Sequence, residues 1–322
     1  MVADDDDGDS DLSIQYTSEI LQYSTPATSA NPPLEIKVKL AASTRGRNII
    51  SNDEDNTGIF IWPASHLMCY YLNSLSIVAT ACETTQSSFS EVKQSLGKAC
   101  ELGCGVGLVG IAAVLSGSAS ECLCTDGDAN TLNLAQVNID QNIPEQLKLK
   151  DIIRTQVILF GAAVSETQQH AFDTVLGADI IYPSMSDEVL VLLFQSVNKL
   201  LKNDNGARFV LSFVSRDGHI TSQRLIQAAS DAKFSIDFLA DESTLFGEGS
   251  LSFSPDRPPM MGAKVFALHR DVNAEILNGR LGGPQCKSFP GLKQRILRAA
   301  EEESSEEEWE APFTCTSSTD EE

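Results

Sequence analysis

The sequence predicts an α/β fold, a doubly wound and mostly parallel sheet with helices on both faces, and three observations carry that prediction. Strand and helix patterns alternate from Lys98 onward. A glycine-dense turn, Gly103 to Gly110, joins the first of these strands to the first helix. Acidic and aromatic residues then gather just past the predicted strands, and open α/β sheets place their ligands outside those carboxyl ends.

Element by element, Leu34 to Leu40 alternates with period two and reads as a strand, while Asn52 to Asn56 reads as a polar loop, so an N-terminal hairpin extension is expected. Ile59-Phe60-Ile61-Trp62-Pro63-Ala64-Ser65 leads into an apolar helix, Leu67 to Ile77, with Pro63 near its first turn. A strand over 98–103, a helix over 107–116 and a strand over 121–126 form a βαβ unit. The next helix opens near Asp128 and sets Leu132, Ala135 and Ile139 on one face. A third strand spans about 155–160, and a fourth, 174–178, ends at Asp179. Helix 186–201 repeats Val189, Leu192, Leu193, Val197 and Leu200 at helical spacing, with Asp187 and Glu188 in its first turn and Lys199 in its last, as the helix dipole favours. Strand 207–214, helix 219–231 and strands 234–240 and 263–269 complete the pattern.

The 322 residues suffice for one large domain or two small ones, and 42% apolar residues are ample for a core. Charge is uneven. Residues 1–33 hold seven acidic and no basic side chains, residues 299–322 hold ten and none, and together they supply 17 of the 22 net negative charges. Three regions are therefore expected: a disordered acidic tail over 1–33, one folded domain over 34–270, and an acidic, disordered extension over 271–322. The tails read either as solvating segments or as arms for basic partners. No basic stripe interleaved with aromatics occurs, which disfavours nucleic acid as a partner.

Eight cysteines, at 69, 82, 100, 104, 122, 124, 286 and 315, include no C-x-x-C pair and accompany no histidines at metal spacing, so no metal site is expected. Cys100, Cys122 and Cys124 fall inside apolar strand patterns and read as small buried hydrophobes of a reducing compartment. The four histidines are scattered and read as surface or packed residues. The N-terminus shows no basic start and no apolar core of a signal peptide. The expectation is a monomer of the cytoplasm, with the nucleus open and no membrane insertion.

The glycine turn calls for a nucleotide cofactor. Gly105, Gly107 and Gly110 match G-x-G-x-x-G, and Asp126 lies about 20 positions on, which fits a dinucleotide. Glu101, two residues before the first glycine, instead makes E-x-G-x-G with Gly103 and Gly105. A carboxylate there suits S-adenosylmethionine, which carries a sulfonium and an ammonium and no phosphate. Cys104 would line the cofactor through its backbone. Asp126 offers two acceptor oxygens to a ribose diol, and Asp128 reads as the cap of the following helix. Phe160 could lay its ring on adenine or belong to the core. Asp179 and Tyr182 stand three residues apart past a buried strand. Together they could orient a lysine amine in line with the sulfonium carbon, or Tyr182 could merely cover a helix end.

With these residues in hand, the chain resembles the seven-β-strand methyltransferase-16 family of protein lysine methyltransferases over about residues 34–270. The matching segments are Gly58-Ile-Phe-Ile-Trp62-Pro-Ala-Ser, Glu101-Leu-Gly-Cys-Gly-Val-Gly-Leu-Val-Gly-Ile111, Thr125-Asp126, Leu159-Phe160-Gly161 and Leu176-Gly-Ala178-Asp179-Ile-Ile-Tyr182. The resemblance implies a class I, Rossmann-like sheet of seven strands with the last antiparallel. It also implies S-adenosylmethionine held by Trp62, the Gly103 to Gly105 turn, Asp126, Phe160 and Ala178, with Asp179 and Tyr182 at the target amine. Phe160 departs from the family's usual tryptophan and keeps its stacking face. The expected function is methyl transfer to a protein lysine. A small-molecule or arginine methyltransferase, or a catalytically silent scaffold, is the alternative.

Overall fold

The computed structural model describes residues 15–26, 33–41, 56–84, 96–148, 151–247 and 257–270. The predicted loop at 52–55 and the tails before 15 and beyond 270 lie outside the described residues.

After an N-terminal hairpin of β1 (Tyr16–Tyr23) and β2 (Leu34–Ala41), seven strands form one sheet. In chain order they are β3 (Gly97–Leu102), β4 (Ala119–Asp126), β5 (Ile153–Val157), β6 (Thr174–Ala178), β7 (Arg208–Phe213), β8 (Phe234–Ala240) and β9 (Lys264–Arg270), and in space they run β5-β4-β3-β6-β7-β9-β8. Only β9 runs against the direction of the other six strands. The chain winds from β3 outward through β4 to β5, then returns to place β6 on the other side of β3. That reversal leaves a crevice between the carboxyl ends of β3 and β6, the usual ligand position in such sheets.

Helices cover both faces. On one lie α1 (Pro63–Thr84), α2 (Leu108–Leu115) and α3 (Ala129–Asn142); on the other lie α5 (Asp187–Leu200) and α6 (Ile220–Asp231). Short helices α4 (Glu145–Lys148) and α7 (Glu242–Phe246) complete the set. Strand residues alternate between the two cores, as a period of two requires: Val210 packs with the first and Phe209 and Leu211 with the second. Among the described residues no helix is long and apolar enough to cross a membrane.

Besides the short helices α4 and α7, which the sequence reading did not include, three elements differ from the sequence expectation. The region expected to be a disordered tail contains strand β1, antiparallel to β2 in a separate two-stranded sheet. Its outward residues look like a soluble tail, and only Tyr23 is fully buried. Helix α1 begins four residues before the predicted Leu67, because Pro63 itself opens it. Strand β5 stops at Val157, so Phe160 lies on the loop beyond rather than at a strand end.

Two devices hold the hairpin to the domain. Tyr23 meets the ring of Tyr70 edge-on at 4.9 Å, pairs its hydroxyl with His66 Nδ1 at 2.8 Å, and accepts from Asn73 Nδ2 through its carbonyl at 2.9 Å. Burial lowers the His66 pKa to about 4, so the ring is neutral near pH 7. Along the other strand, Asn138 and Asn142, one turn apart on α3, act as a stand-in for a third strand. Asn138 accepts from the Lys39 N–H at 2.7 Å and donates to the Lys39 carbonyl at 3.0 Å, and Asn142 does the same for Lys37 at 2.8 and 2.6 Å. Asn138 also donates to the Val106 carbonyl at 2.9 Å, which ties the glycine turn to the hairpin.

Replacing the fully buried Asn138 by Leu strands the Lys39 N–H and two carbonyls. Urea unfolding of Asn138→Leu should show a loss of roughly 2 kcal/mol or more. Asn142→Leu should lose about 1 kcal/mol or less, because water reaches the groups it leaves.

Candidate active site

The turn after β3 folds back on itself through two glycines in left-handed backbone, Gly103 at φ +62° and Gly105 at φ +53°. A side chain at Gly105 would also strike the Gly58 carbonyl, 2.9 Å from an ideal Cβ. The two loops therefore meet backbone to backbone, and Gly58 brings Phe60, Ile61 and Trp62 to the same cavity. Asp126, at the end of β4, accepts from Gly105 N at 3.0 Å through Oδ2 and from Asp128 N at 3.1 Å through Oδ1. Burial raises the pKa of this carboxyl, an effect these N–H donors oppose. Asp128 caps α3, accepting from Asn130 N at 3.2 Å and Thr131 N at 2.8 Å.

Glu101 reaches inward. Its Oε2 accepts from the Gly110 N–H of α2 at 2.8 Å, and burial pushes its pKa up to about 8. A Cβ at Gly110 would run into Cys124 Sγ and lie 3.0 Å from this same oxygen, so the glycine lets helix and strand approach. Cys104 turns its thiol toward the Gly105 carbonyl at 3.6 Å, and burial raises its pKa well above the ordinary thiol range.

Across the crevice, Ala178 is followed by Asp179 at φ +57°, left-handed backbone that costs a non-glycine residue on the order of 1–2 kcal/mol. Several bonds hold it there. Its N–H donates to the Ser212 carbonyl at 2.8 Å, and its Oδ2 accepts from Ala64 N, at the start of α1, at 3.2 Å. Arg216, on the loop after β7, clamps the carboxylate in fork geometry, Nη1 to Oδ1 at 2.9 Å and Nη2 to Oδ2 at 2.6 Å. The same guanidinium lies 5.4 Å from the ring centroid of Trp62, whose Nε1 donates to the Thr57 carbonyl at 3.0 Å. Tyr182 stands at the rim with its side chain partly in solvent. The loop behind it is pinned by Arg224, which donates to Asp187 Oδ1 at 2.7 Å and to the carbonyls of Pro183 and Met185.

These groups wall one cavity of about 570 Å³, and all ten residues singled out from the sequence lie on it, Phe160 beside Leu159 at the β5 side. Among the described residues its lining includes the acidic residues Glu101, Asp126, Asp128 and Asp179, the last with its side chain fully buried and paired with Arg216, and no lysine, arginine or histidine. With Asp126 and Asp128 at its β4 side, that lining fits a nucleoside carrying positive charge better than a pyrophosphate, for which it offers no cationic side chain. Among the described residues no group of three or more histidine, cysteine or acidic side chains is placed to hold a metal ion. Arg216 is not among the residues the sequence singles out. The signal for it is the strand-end rule itself, applied one strand further, to the residues just past 207–214.

A family model described as lysine methyltransferase matches residues 45–230. The protein-lysine methyltransferase METTL21E of Mus musculus is 29% identical over 153 residues, 47% of this chain and 55% of that protein. The protein N-lysine methyltransferase METTL21A of the same species is 26% identical over 145 residues, 45% of this chain and 56% of that one. The chain thus spans about half the length of these relatives. Among solved structures, the ribosomal protein L11 methylase of Lactobacillus delbrueckii subsp. bulgaricus superposes with a TM-score of 0.38 at 18% identity, over 62% of this chain and 79% of that one. At that score the fold assignment rests on the strand order of the seven-stranded sheet.

The raised pKa of Glu101 makes stability depend on pH. Its carboxyl keeps its proton in the folded state up to about 8 but loses it near the ordinary value of 4.5 once unfolded. The stabilisation is therefore complete at low pH and is lost as pH rises from about 4.5 to about 8. Unfolding measured against pH should show this fall, of the order of a few kcal/mol. Glu101→Gln, which keeps an acceptor for Gly110 N–H and carries no proton to lose, should flatten it.

Proposed function

The chain belongs to the lysine methyltransferase family, and on that basis we propose that it transfers a methyl group from S-adenosylmethionine to a lysine side-chain amine of a protein. The observation that carries the reading is the lining of the cavity at the sheet's reversal point, a left-handed glycine turn beside the Asp126 carboxylate with, among the described lining residues, no cationic side chain; Arg216 stands outside that lining, paired with Asp179. What this cofactor supplies when bound is an electrophilic methyl group on a sulfonium.

The residues divide the work. The Gly103 to Gly105 turn gives bare backbone for a close approach. Asp126 already accepts one N–H on each oxygen and keeps further lone pairs for a vicinal diol. Phe160 and Leu159 offer apolar surface for a base, and Ala178 leaves room beside the strand end. Glu101 acts at one remove, fixing α2 against the turn through Gly110. Trp62, Asp179 and Tyr182 form the wall at which the acceptor amine would be oriented. Methyl transfer needs that amine neutral and in line, and an aromatic, partly desolvated wall favours loss of its proton to water.

The protein substrate is read from the names of the METTL21 relatives. We propose a reducing compartment, the cytoplasm with the nucleus open, the setting in which the buried thiols of Cys69, Cys100, Cys104, Cys122 and Cys124 would stay free.

Labelled S-adenosylmethionine added to a cell lysate with the purified chain should mark discrete protein bands, with the label on lysine. Asp126→Ala should weaken cofactor binding by roughly tenfold or more, the loss of charge-assisted hydrogen bonds. Asp179→Asn should bind cofactor within about threefold of wild type and lose transfer. Label on arginine or on small molecules, or cofactor binding without any transfer, would overturn the reading.

A further inference from the structure

Taking the cavity as a methyl-transfer site, we propose that Arg216, which stands outside the cavity lining but engages two of its residues, holds the cation position of the acceptor subsite, and that a substrate lysine enters there only in exchange for it. Two features of this wall recognise a cation, the Asp179 carboxylate and the face of Trp62, and one guanidinium engages both. With Arg216 in place the Asp179 side chain is 0% exposed, and its Oδ2 also accepts from Ala64 N at 3.2 Å. An ammonium arriving from the cavity therefore meets no free carboxylate.

Arg216 is built to leave. Its side chain keeps 24% of its surface exposed, and it stands on a loop outside the sheet, so the guanidinium has solvent to move into. Loss of Arg216 would not leave Asp179 bare if a second cation took its place, and a lysine ammonium supplies one. The two cations differ in their proton chemistry. A guanidinium holds its proton at any ordinary pH and presents no nucleophilic lone pair, whereas an ammonium can release its proton and become an acceptor. An arginine thus guards the subsite without competing for the methyl group.

The test uses the full chain saturated with S-adenosylhomocysteine at pH 8, with n-butylammonium as the probe for a lysine head group, its affinity read by titration calorimetry or NMR. Arg216→Gln should bind n-butylammonium at least tenfold more tightly than wild type, and the double variant Asp179→Asn/Arg216→Gln should lose that gain. Arg216→Lys, which keeps a charge but not the fork, covers the case in which Arg216→Gln does not fold; it should gain severalfold. A variant that binds S-adenosylhomocysteine like wild type but gains nothing for n-butylammonium overturns the resident-cation proposal and leaves the methyltransferase reading standing. Failure of the wild-type chain to bind S-adenosylhomocysteine overturns both.

Discussion

One carboxylate joins three segments that lie far apart in the chain. Asp179 sits at the end of β6, accepts the Ala64 N–H that opens α1, and is clamped by Arg216 from the loop after β7. A buried charge must be compensated where it stands, and here the compensation comes from a guanidinium and from the positive end of a helix. Ser212 completes the junction by donating its hydroxyl to the Ala64 carbonyl at 2.9 Å. Because α1 is fixed at this point, so are His66, Tyr70 and Asn73 further along it, and through them Tyr23 and the N-terminal hairpin. The left-handed backbone at Asp179 is the strain that this convergence sustains.

Two buried carboxyl groups face the same cavity and are stabilised in opposite ways. Asp179 is matched with a cation and a helix terminus; Glu101, with only one N–H and a set of thiols around it, is driven by burial toward its neutral form. The cavity therefore carries less negative charge than its four acidic side chains suggest. What remains lies mostly at Asp126 and Asp128, both held by backbone N–H groups at the start of α3. Negative potential is thus concentrated on the β4 side, away from the aromatic wall of Trp62 and Tyr182.

Most of the central sheet could be read from the chain because its signals are local. The β3 turn, the amphipathic run of α5 and the Asp128 cap each declare themselves within a dozen residues. Strand ends then collect themselves, since a parallel sheet sends them all to one side. What escaped has no local signature. Arg216 is one arginine in a polar loop, 37 residues from the aspartate it clamps. Strand β1 alternates poorly because the two-stranded sheet buries little of it, and the sheet's partners beyond β2 are amide groups 99 and 105 residues along the chain. Such pairings are decided by tertiary contact, and neither propensity nor periodicity registers them.

The paired asparagines of α3 have a consequence for how molecules of this protein meet one another. A two-stranded hairpin has two open margins, each able to recruit a strand from another chain and so begin an aggregate. Along β2 that margin is occupied from within, residue by alternate residue, by side-chain amides that mimic a neighbouring backbone. They cannot propagate the ladder further, since a side chain offers no second edge. The helix therefore ends the sheet as well as anchoring it, and intermolecular strand addition on that side is blocked by ordinary folding of the chain.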